Sequence, residues 1–228
     1  MSTEAADRRI RSFVLRAGRM SRAQKRSYET LFPLYGLKGE GASFDPGQFF
    51  GNSGPVVVEI GFGMGTATAA IAEQNPDINY VGIDVHRPGI GRLLWEIENR
   101  DLKNIRVIEG DAVEFLGKKV KDASISAFHI FFPDPWPKKR HHKRRLVTRP
   151  FTDLLAAKLV PGGYIYMVSD WADYGDWALK ELSATAGLQN KYSAFAEGQD
   201  WRPQTEFERK GIKKNHEMRE LFFVRSIG

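Results

Sequence analysis

Residues 55–65 read Pro-Val-Val-Val-Glu-Ile-Gly-Phe-Gly-Met-Gly, and an alanine-rich stretch follows at residues 66–74. A short β-branched run stopped by glycines and answered by a helix-forming segment is the opening of a strand–turn–helix unit. Similar units recur downstream. Residues 80–83 form an apolar run ending at Asp84, residues 105–108 one ending near Asp111, and residues 125–132 one that runs into a proline-rich stretch. Residues 164–168 form a further run ending near Asp170, and residues 217–224 resemble a last strand. Between them, Ile90, Leu93, Leu94 and Ile97 recur at helical spacing, so residues 89–99 are expected to form an amphipathic helix. Residues 151–159 and 172–186 are expected to be helical too, the first stopped by Pro161-Gly162-Gly163. Strands alternating with helices predict a doubly wound α/β sheet. Residues 33–54, rich in glycine and proline without periodicity, read as a lead-in loop, so the regular domain is expected to span 55–228 behind an extension at 1–54.

Ligands of such sheets bind beyond the carboxyl ends of the strands. Glu59, Asp84, Asp111, Asp134 and Asp170 all fall at or just past the expected ends. Like charges gathered at one edge repel, so stability alone does not explain them. The glycine loop narrows the ligand. A dinucleotide site needs Gly-x-Gly-x-x-Gly, but here Thr66 stands at the third position and Gly65 comes one residue early, after Gly61 and Gly63. Glu59 precedes the loop and would repel a pyrophosphate, whereas it suits a cation. S-adenosylmethionine, with its sulfonium and amino group, fits better than a nicotinamide dinucleotide. Asp84, 19 residues after Gly65, is placed to accept both ribose hydroxyls, and Asp111 is a candidate for the adenine amino group. A tight turn that binds nothing is the alternative reading of the loop.

The stretch Phe131-Phe132-Pro133-Asp134-Pro135-Trp136-Pro137-Lys138 runs at once into Lys139-Arg140-His141-His142-Lys143-Arg144-Arg145. Proline fixes φ and removes a donor, so the first part is a stiff loop able to aim Asp134 and Trp136. A carboxylate beside an indole suits a nucleobase, and the cations suit its phosphates. The chain carries 34 Lys and Arg against 28 Asp and Glu, and the seven cations between 138 and 149 hold the whole excess. A second cluster runs from Arg8 to Arg26. Two clusters point to a polyanion partner; a merely solvated charged face is the alternative. Trp136 could equally be packed within its own loop. His141 and His142 have no carboxylate partners at ligand spacing, so a metal is not expected.

Composition limits the rest. A chain of 228 residues, 42% hydrophobic, supports one globular domain with a full core. It has no cysteine, which excludes thiol catalysis and cysteine-based metal sites. No apolar run approaches the ~20 residues that span a bilayer, and the first residues lack the apolar core of a secretory signal. These features are read as those of a soluble cytoplasmic protein. Monomer and homodimer are both compatible with the pattern.

Taken together, these blocks resemble the bacterial tRNA (guanine-N7)-methyltransferase family. The likeness also takes in Arg11-Ser12-Phe13-Val14 with Gly18-Arg19, Gly82-Ile-Asp-Val-His86 with Pro88-Gly89, Ser169-Asp170-Trp171, and Thr205-Glu206-Phe207-Glu208 with Lys210-Gly211. The family often has His where this chain has Pro137. The resemblance implies a Rossmann-like class I methyltransferase fold with a mostly parallel seven-stranded sheet and a basic N-terminal extension. It implies methyl transfer from S-adenosylmethionine to N7 of guanosine 46 in the variable loop of tRNA. Glu59, Gly61, Gly63, Gly65, Asp84, Asp111 and Asp134 would surround the cofactor, with Asp134 the catalytic residue. Lys138, Asp170, Thr205, Glu206, Phe207 and Glu208 would bind the guanine nucleotide. Arg140, His141, His142, Lys143, Arg144 and Arg145 would face RNA.

N7 of guanine offers a lone pair and no proton, so the implied reaction is an in-line displacement governed by orientation and electrostatics. Three other readings stay open at this point: methylation of an exocyclic base amine, an RNA-binding module that kept the fold, and a nicotinamide oxidoreductase. The first usually presents a neutral amide or proline where Asp134 stands.

Overall fold

The computed structural model describes residues 10–14, 18–39, 43–203, 208 and 217–227. Helix α1, Arg22–Tyr35, starts at a capping box: the Ser21 hydroxyl accepts the Gln24 N–H, and the Gln24 side chain accepts the Ser21 N–H. A short strand β1, Gly36–Lys38, and a helical turn α2, Pro46–Phe50, lead to β2, Val56–Ile60. Then follow α3 (Thr66–Gln74), β3 (Asn79–Asp84), α4 (Arg87–Asn99), β4 (Ile105–Glu109) and α5 (Ala112–Lys119). The second half comprises β5 (Ile125–Phe131), a 3-10 helix (Lys139–Arg144), α6 (Arg149–Lys158), β6 (Leu159–Ser169) and α7 (Ala172–Ser183). Two further strands, β7 (Leu188–Asn190) and β8 (Arg219–Arg225), complete it.

The strands form one sheet in the order β1-β4-β3-β2-β5-β6-β8-β7. It is parallel except for β8, which runs antiparallel to both β6 and β7. The doubly wound reading therefore holds, with eight strands among the described residues in place of seven. The additional one is β1, which pairs in parallel with β4 at the sheet edge. It lies within the stretch read as a lead-in loop, because three residues are too few to show an alternating pattern. Tyr28, Lys38 and Arg87 all converge on the Glu109 carboxylate and tie α1, β1 and the start of α4 to the end of β4.

Helices cover both faces, as a parallel sheet requires. Along β2 the side chains alternate. Val56, Val58 and Ile60 pack with Phe115, Phe151, Leu155 and Leu182 from the α5, α6 and α7 layer. Val57 packs on the opposite face with Ala69, Ile90, Leu93 and Leu94 from α3 and α4, where α1 adds Tyr28, Leu31 and Phe32. Residues 160–163 interrupt the β5–β6 pairing, since Leu159 pairs with Ile125 but the next paired residue, Tyr164, faces Ala127. The chain order of the strands reverses between β2 and β5, and the loops after these two strands diverge there. That crevice holds the site.

Candidate active site

Above the β2–β5 crevice lies a cavity of about 440 Å³. Its floor comes from the ends of β2, β3 and β4, through Ile60, Gly61, Gly63, Asp84, Val85, His86, Gly110 and Asp111. Phe132, Pro133 and Asp134 from the loop after β5 form one side, and Ser12, Phe13 and Val14 approach from the N-terminal segment. Ile60, Ile83, Val85, Phe132 and Leu146 make much of the wall apolar. Three carboxylates line it, and among the described residues no lysine or arginine does. An anion such as a pyrophosphate is disfavoured there, and a cationic ligand is favoured.

The glycine loop divides its work. Gly61 (φ 76°) and Gly63 (φ 59°) adopt left-handed backbone that L side chains rarely take, and a Cβ on either would point into open space. They leave a bare backbone cradle on the cavity side. Gly65 (φ 71°) acts differently, since a Cβ there would meet Leu93 of α4 at 2.6 Å. It is the close-packing glycine, shifted one residue from the dinucleotide pattern. Gly89 in the first turn of α4 is tighter still, because its Cβ would lie 1.9 Å from the Gly63 carbonyl oxygen. In the sequence Gly89 stands out only as part of the Pro88-Gly89 block, with nothing to show its close packing on Gly63.

Asp84 closes the loop from below. Its Oδ2 accepts the Gly63 N–H at 3.0 Å, and its Oδ1 accepts the N–H groups of Val85 (2.7 Å) and His86 (2.9 Å). Burial raises its pKa above the ordinary carboxylate value, and these backbone donors offset part of that rise. Asp111 caps α5 by accepting the Val113 N–H at 2.9 Å and also borders the cavity. Glu59 does not reach the cavity wall. It is 4% exposed within β2, and burial pushes its carboxyl up to about 7, an effect that the neighbouring Thr68 hydroxyl lessens and Asp84 adds to.

Asp134 is exposed at the cavity mouth. The loop carrying it is bracketed by Phe132 (φ 50°) and Trp136 (φ 46°), two bulky residues in the left-handed region. Such backbone persists only where surroundings hold it. Phe132 is held by its N–H to the Val168 carbonyl at 2.8 Å. Trp136 donates its indole N–H to the Ser12 carbonyl at 3.1 Å, and Arg144 sits over the ring at 4.9 Å. Trp136 is thus packed within the loop's own surroundings and fastens residues 10–14 against the cavity.

The other candidates separate. Asp170 follows β6, one strand over from the Asp134 loop, and does not line the cavity; the N-cap position of α7 belongs to Trp171. Lys138, Arg140 and Lys143 are exposed, while His141, His142 and Arg144 are half-buried on the 3-10 helix beside the mouth. Arg145 departs from that set, because its side chain is fully buried and is not open to solvent. Glu208 is likewise buried, in a two-pronged pair with Arg202 at 2.7 and 2.8 Å, while Arg202 also reaches Glu220 at 3.1 Å. Glu208 therefore belongs to a buried ion cluster with Arg202 and Glu220. Thr205, Glu206, Phe207, Lys210 and Gly211 lie outside the described residues. Among the described residues no cluster of His, Asp and Glu could hold a metal ion, and no helix is long and apolar enough to cross a membrane.

Comparison with known proteins gives this geometry a context. Among solved structures, the chain resembles the 16S rRNA methyltransferase KamB with a TM-score of 0.61 at 15% identity, over 83% of this chain and 98% of that one. It resembles TrmN from Thermus thermophilus with a TM-score of 0.53 at 15% identity, over 76% of this chain and 44% of that one. At such identities the likeness establishes the fold alone. A family profile described as "Putative methyltransferase" matches residues 53–221. The tRNA (guanine-N(7)-)-methyltransferase of Nitrosospira multiformis is 45% identical over 228 residues, covering 100% of both chains. That of Chromobacterium violaceum is 46% identical over 225 residues, covering 99% of this chain and 100% of its own. With the fold, the cavity and these full-length identities in agreement, the chain belongs to the tRNA (guanine-N(7)-)-methyltransferase family.

Proposed function

We propose that this protein transfers a methyl group from S-adenosylmethionine to N7 of a guanosine in tRNA, at position 46 of the variable loop, giving 7-methylguanosine. The observation that carries the reading is a cavity at the topological switch point with an anionic lining, opening beside a cationic turn. When bound, S-adenosylmethionine supplies a methyl group on a positively charged sulfur.

The residues present fit that cofactor. Gly61 and Gly63 offer backbone with space where a Cβ would stand, so a ligand chain can lie directly against them. Asp84, set among backbone donors at the cavity floor, is suited to accept ribose hydroxyls. Asp111, after the neighbouring strand β4, also borders the floor and is suited to an adenine amine. Ile83, Val85, Phe132 and Leu146 offer the ligand an apolar wall.

Guanine N7 carries no proton, so no general base is required at the attacking atom. Asp134, aimed from a stiff loop, is suited to accept hydrogen bonds from the guanine N1–H and exocyclic amine. Its negative charge offsets the positive charge that develops on the base. The exposed cations Lys138, Arg140 and Lys143 would hold the flanking phosphates.

The test is transfer from labelled S-adenosylmethionine to unmodified bulk tRNA, followed by nucleoside analysis and mapping of the labelled fragment. Labelled 7-methylguanosine from the variable loop is the expected product. Label on another nucleoside would reject the N7 assignment, and label at a different guanosine would reject position 46.

A further inference from the structure

Arg145 ends the cation run in the sequence, yet the fold treats it unlike its neighbours. Its side chain is 0% exposed, whereas Lys143, two residues earlier, is exposed. The Arg145 Nε donates to the Pro135 carbonyl at 3.0 Å, one residue beyond Asp134. Its Nη2 donates to the Asp173 carboxylate in the first turn of α7, three residues beyond Asp170. The same Nη2 lies 3.2 Å from His142 Nε2. The guanidinium sits 5.0 Å from the Tyr174 ring centroid and 5.2 Å from that of Trp177. Those rings are themselves anchored to the chain just past Arg145: the Tyr174 hydroxyl accepts the Val147 N–H at 3.1 Å, and the Trp177 indole N–H donates to the Val147 carbonyl at 2.8 Å.

A buried guanidinium is costly unless it is paired; Nε and Nη2 of Arg145 are paired, while Nη1 is buried without a hydrogen-bond partner among the described residues. Here its direction is informative. Nε grips the loop after β5 and Nη2 grips the helix after β6, so a single planar group spans the two chain segments that follow these neighbouring strands. The β5 loop is also the one held in left-handed backbone at Phe132 and Trp136, and therefore depends on outside restraint. We propose that Arg145 is a positioning residue, whose guanidinium holds the Pro135 carbonyl against Asp173 and so fixes the aim of Asp134. The proposal rests on the functional reading above and deepens it. Lysine cannot replace this group, because one ammonium on a flexible stem does not reproduce two donors in a rigid fork.

The test uses the full chain, labelled S-adenosylmethionine and an unmodified tRNA transcript. Arg145→Lys and Arg145→Gln are expected to lower kcat about 100-fold, the scale of a ~1 Å misplacement of a reacting group. KM for tRNA should stay within about threefold of wild type. Lys143→Gln, on the exposed face of the turn, should show the opposite split, with KM raised and kcat kept. If Arg145→Gln instead raises KM and weakens tRNA binding at unchanged kcat, Arg145 is an RNA contact and the proposal is overturned. Should the Arg145 variants not fold, Asp173→Asn loosens the same bridge from its solvent side. About a tenfold loss of kcat at constant KM is then expected, and an unchanged kcat overturns the proposal. A wild-type chain that forms no 7-methylguanosine would overturn the functional reading, and this proposal with it.

Discussion

An aspartate between two prolines has few ways to move, which suits a carboxylate that must meet a flat base at a fixed angle. Asp134 is exposed, so its removal should leave the fold intact. Asp134→Asn is expected to lower kcat about 10²- to 10³-fold, the scale of losing one preorganised electrostatic partner. Single-turnover methylation beside a thermal melt checks both halves of that statement; full turnover would remove Asp134 from its role. Glu59 calls for a different experiment, because it is buried in β2 away from the cavity wall. Its carboxyl lies at about 7 in the fold against an ordinary 4.5. The native state therefore holds its proton between those values. The contribution to stability is complete below about 4.5 and is lost as pH rises through about 7. Glu59→Gln should melt with the wild type at pH 5 and above it at pH 8.5, by up to about 3 kcal/mol at roughly 1.4 kcal/mol per unit. A variant that melts lower at pH 8.5 would mean that the ionised carboxylate has a partner it needs.

Helix α4 and the glycine loop meet closely at two places, Gly65 against Leu93 and Gly89 against Gly63, and the second shapes the cavity floor. The first turn of α4 lies against the glycine loop through Gly89, with no room for a methyl group beside the Gly63 carbonyl. Gly89→Ala should cost about 1–3 kcal/mol from overpacking and should push the loop out of register with Asp84. Denaturant titration gives the first quantity; calorimetry with S-adenosylmethionine gives the second, as an affinity loss of about tenfold or more, on the same ~1.4 kcal/mol per decade scale. Wild-type affinity in a destabilised variant would show that the contact serves stability alone. Trp136→Phe removes the hydrogen bond to Ser12 while keeping an aromatic ring at that position. One such bond nets about 0.5–1.5 kcal/mol, so cofactor affinity should fall about 2- to 10-fold as residues 10–14 loosen, with no shift in the tRNA salt dependence.

Across the molecule, charge is sorted by place: carboxylates line the cavity, and exposed cations stand on the turn beside it. Binding of tRNA should weaken steeply and log-linearly with salt as counterions are reacquired, while S-adenosylmethionine binding should change little. Titrating both ligands between low and moderate salt distinguishes them, and equal slopes would contradict the separation. Much of this was legible in the sequence. Parallel strands buried on both faces are largely apolar, so β2 to β6 stand out, and the acids Asp84, Asp111, Asp134 and Asp170 could be placed at the sheet's ligand-binding edge. What stayed hidden depends on partners far along the chain. Arg145 reads like Arg144 until Tyr174 and Trp177 enclose it. The pairing of Glu208 with Arg202, which also reaches Glu220, has no mark in the sequence. Gly89 is an ordinary residue until α4 folds back onto the loop, and β1 and β7, of three residues each, carry no period at all.

The small β1 strand has a consequence for anyone who trims this chain to its most recognisable part. Residues 53–221 alone would leave Ile105–Glu109 as a bare outer strand with unsatisfied backbone donors and acceptors. They would also uncover the side of α4 on which α1 rests, where Gly91 lies so close to the Gln24 carbonyl that a Cβ would be 2.5 Å away. A naked strand beside newly wetted apolar surface is a template for other copies of itself. The shortened protein would be lost to aggregation before any question about its chemistry could be asked.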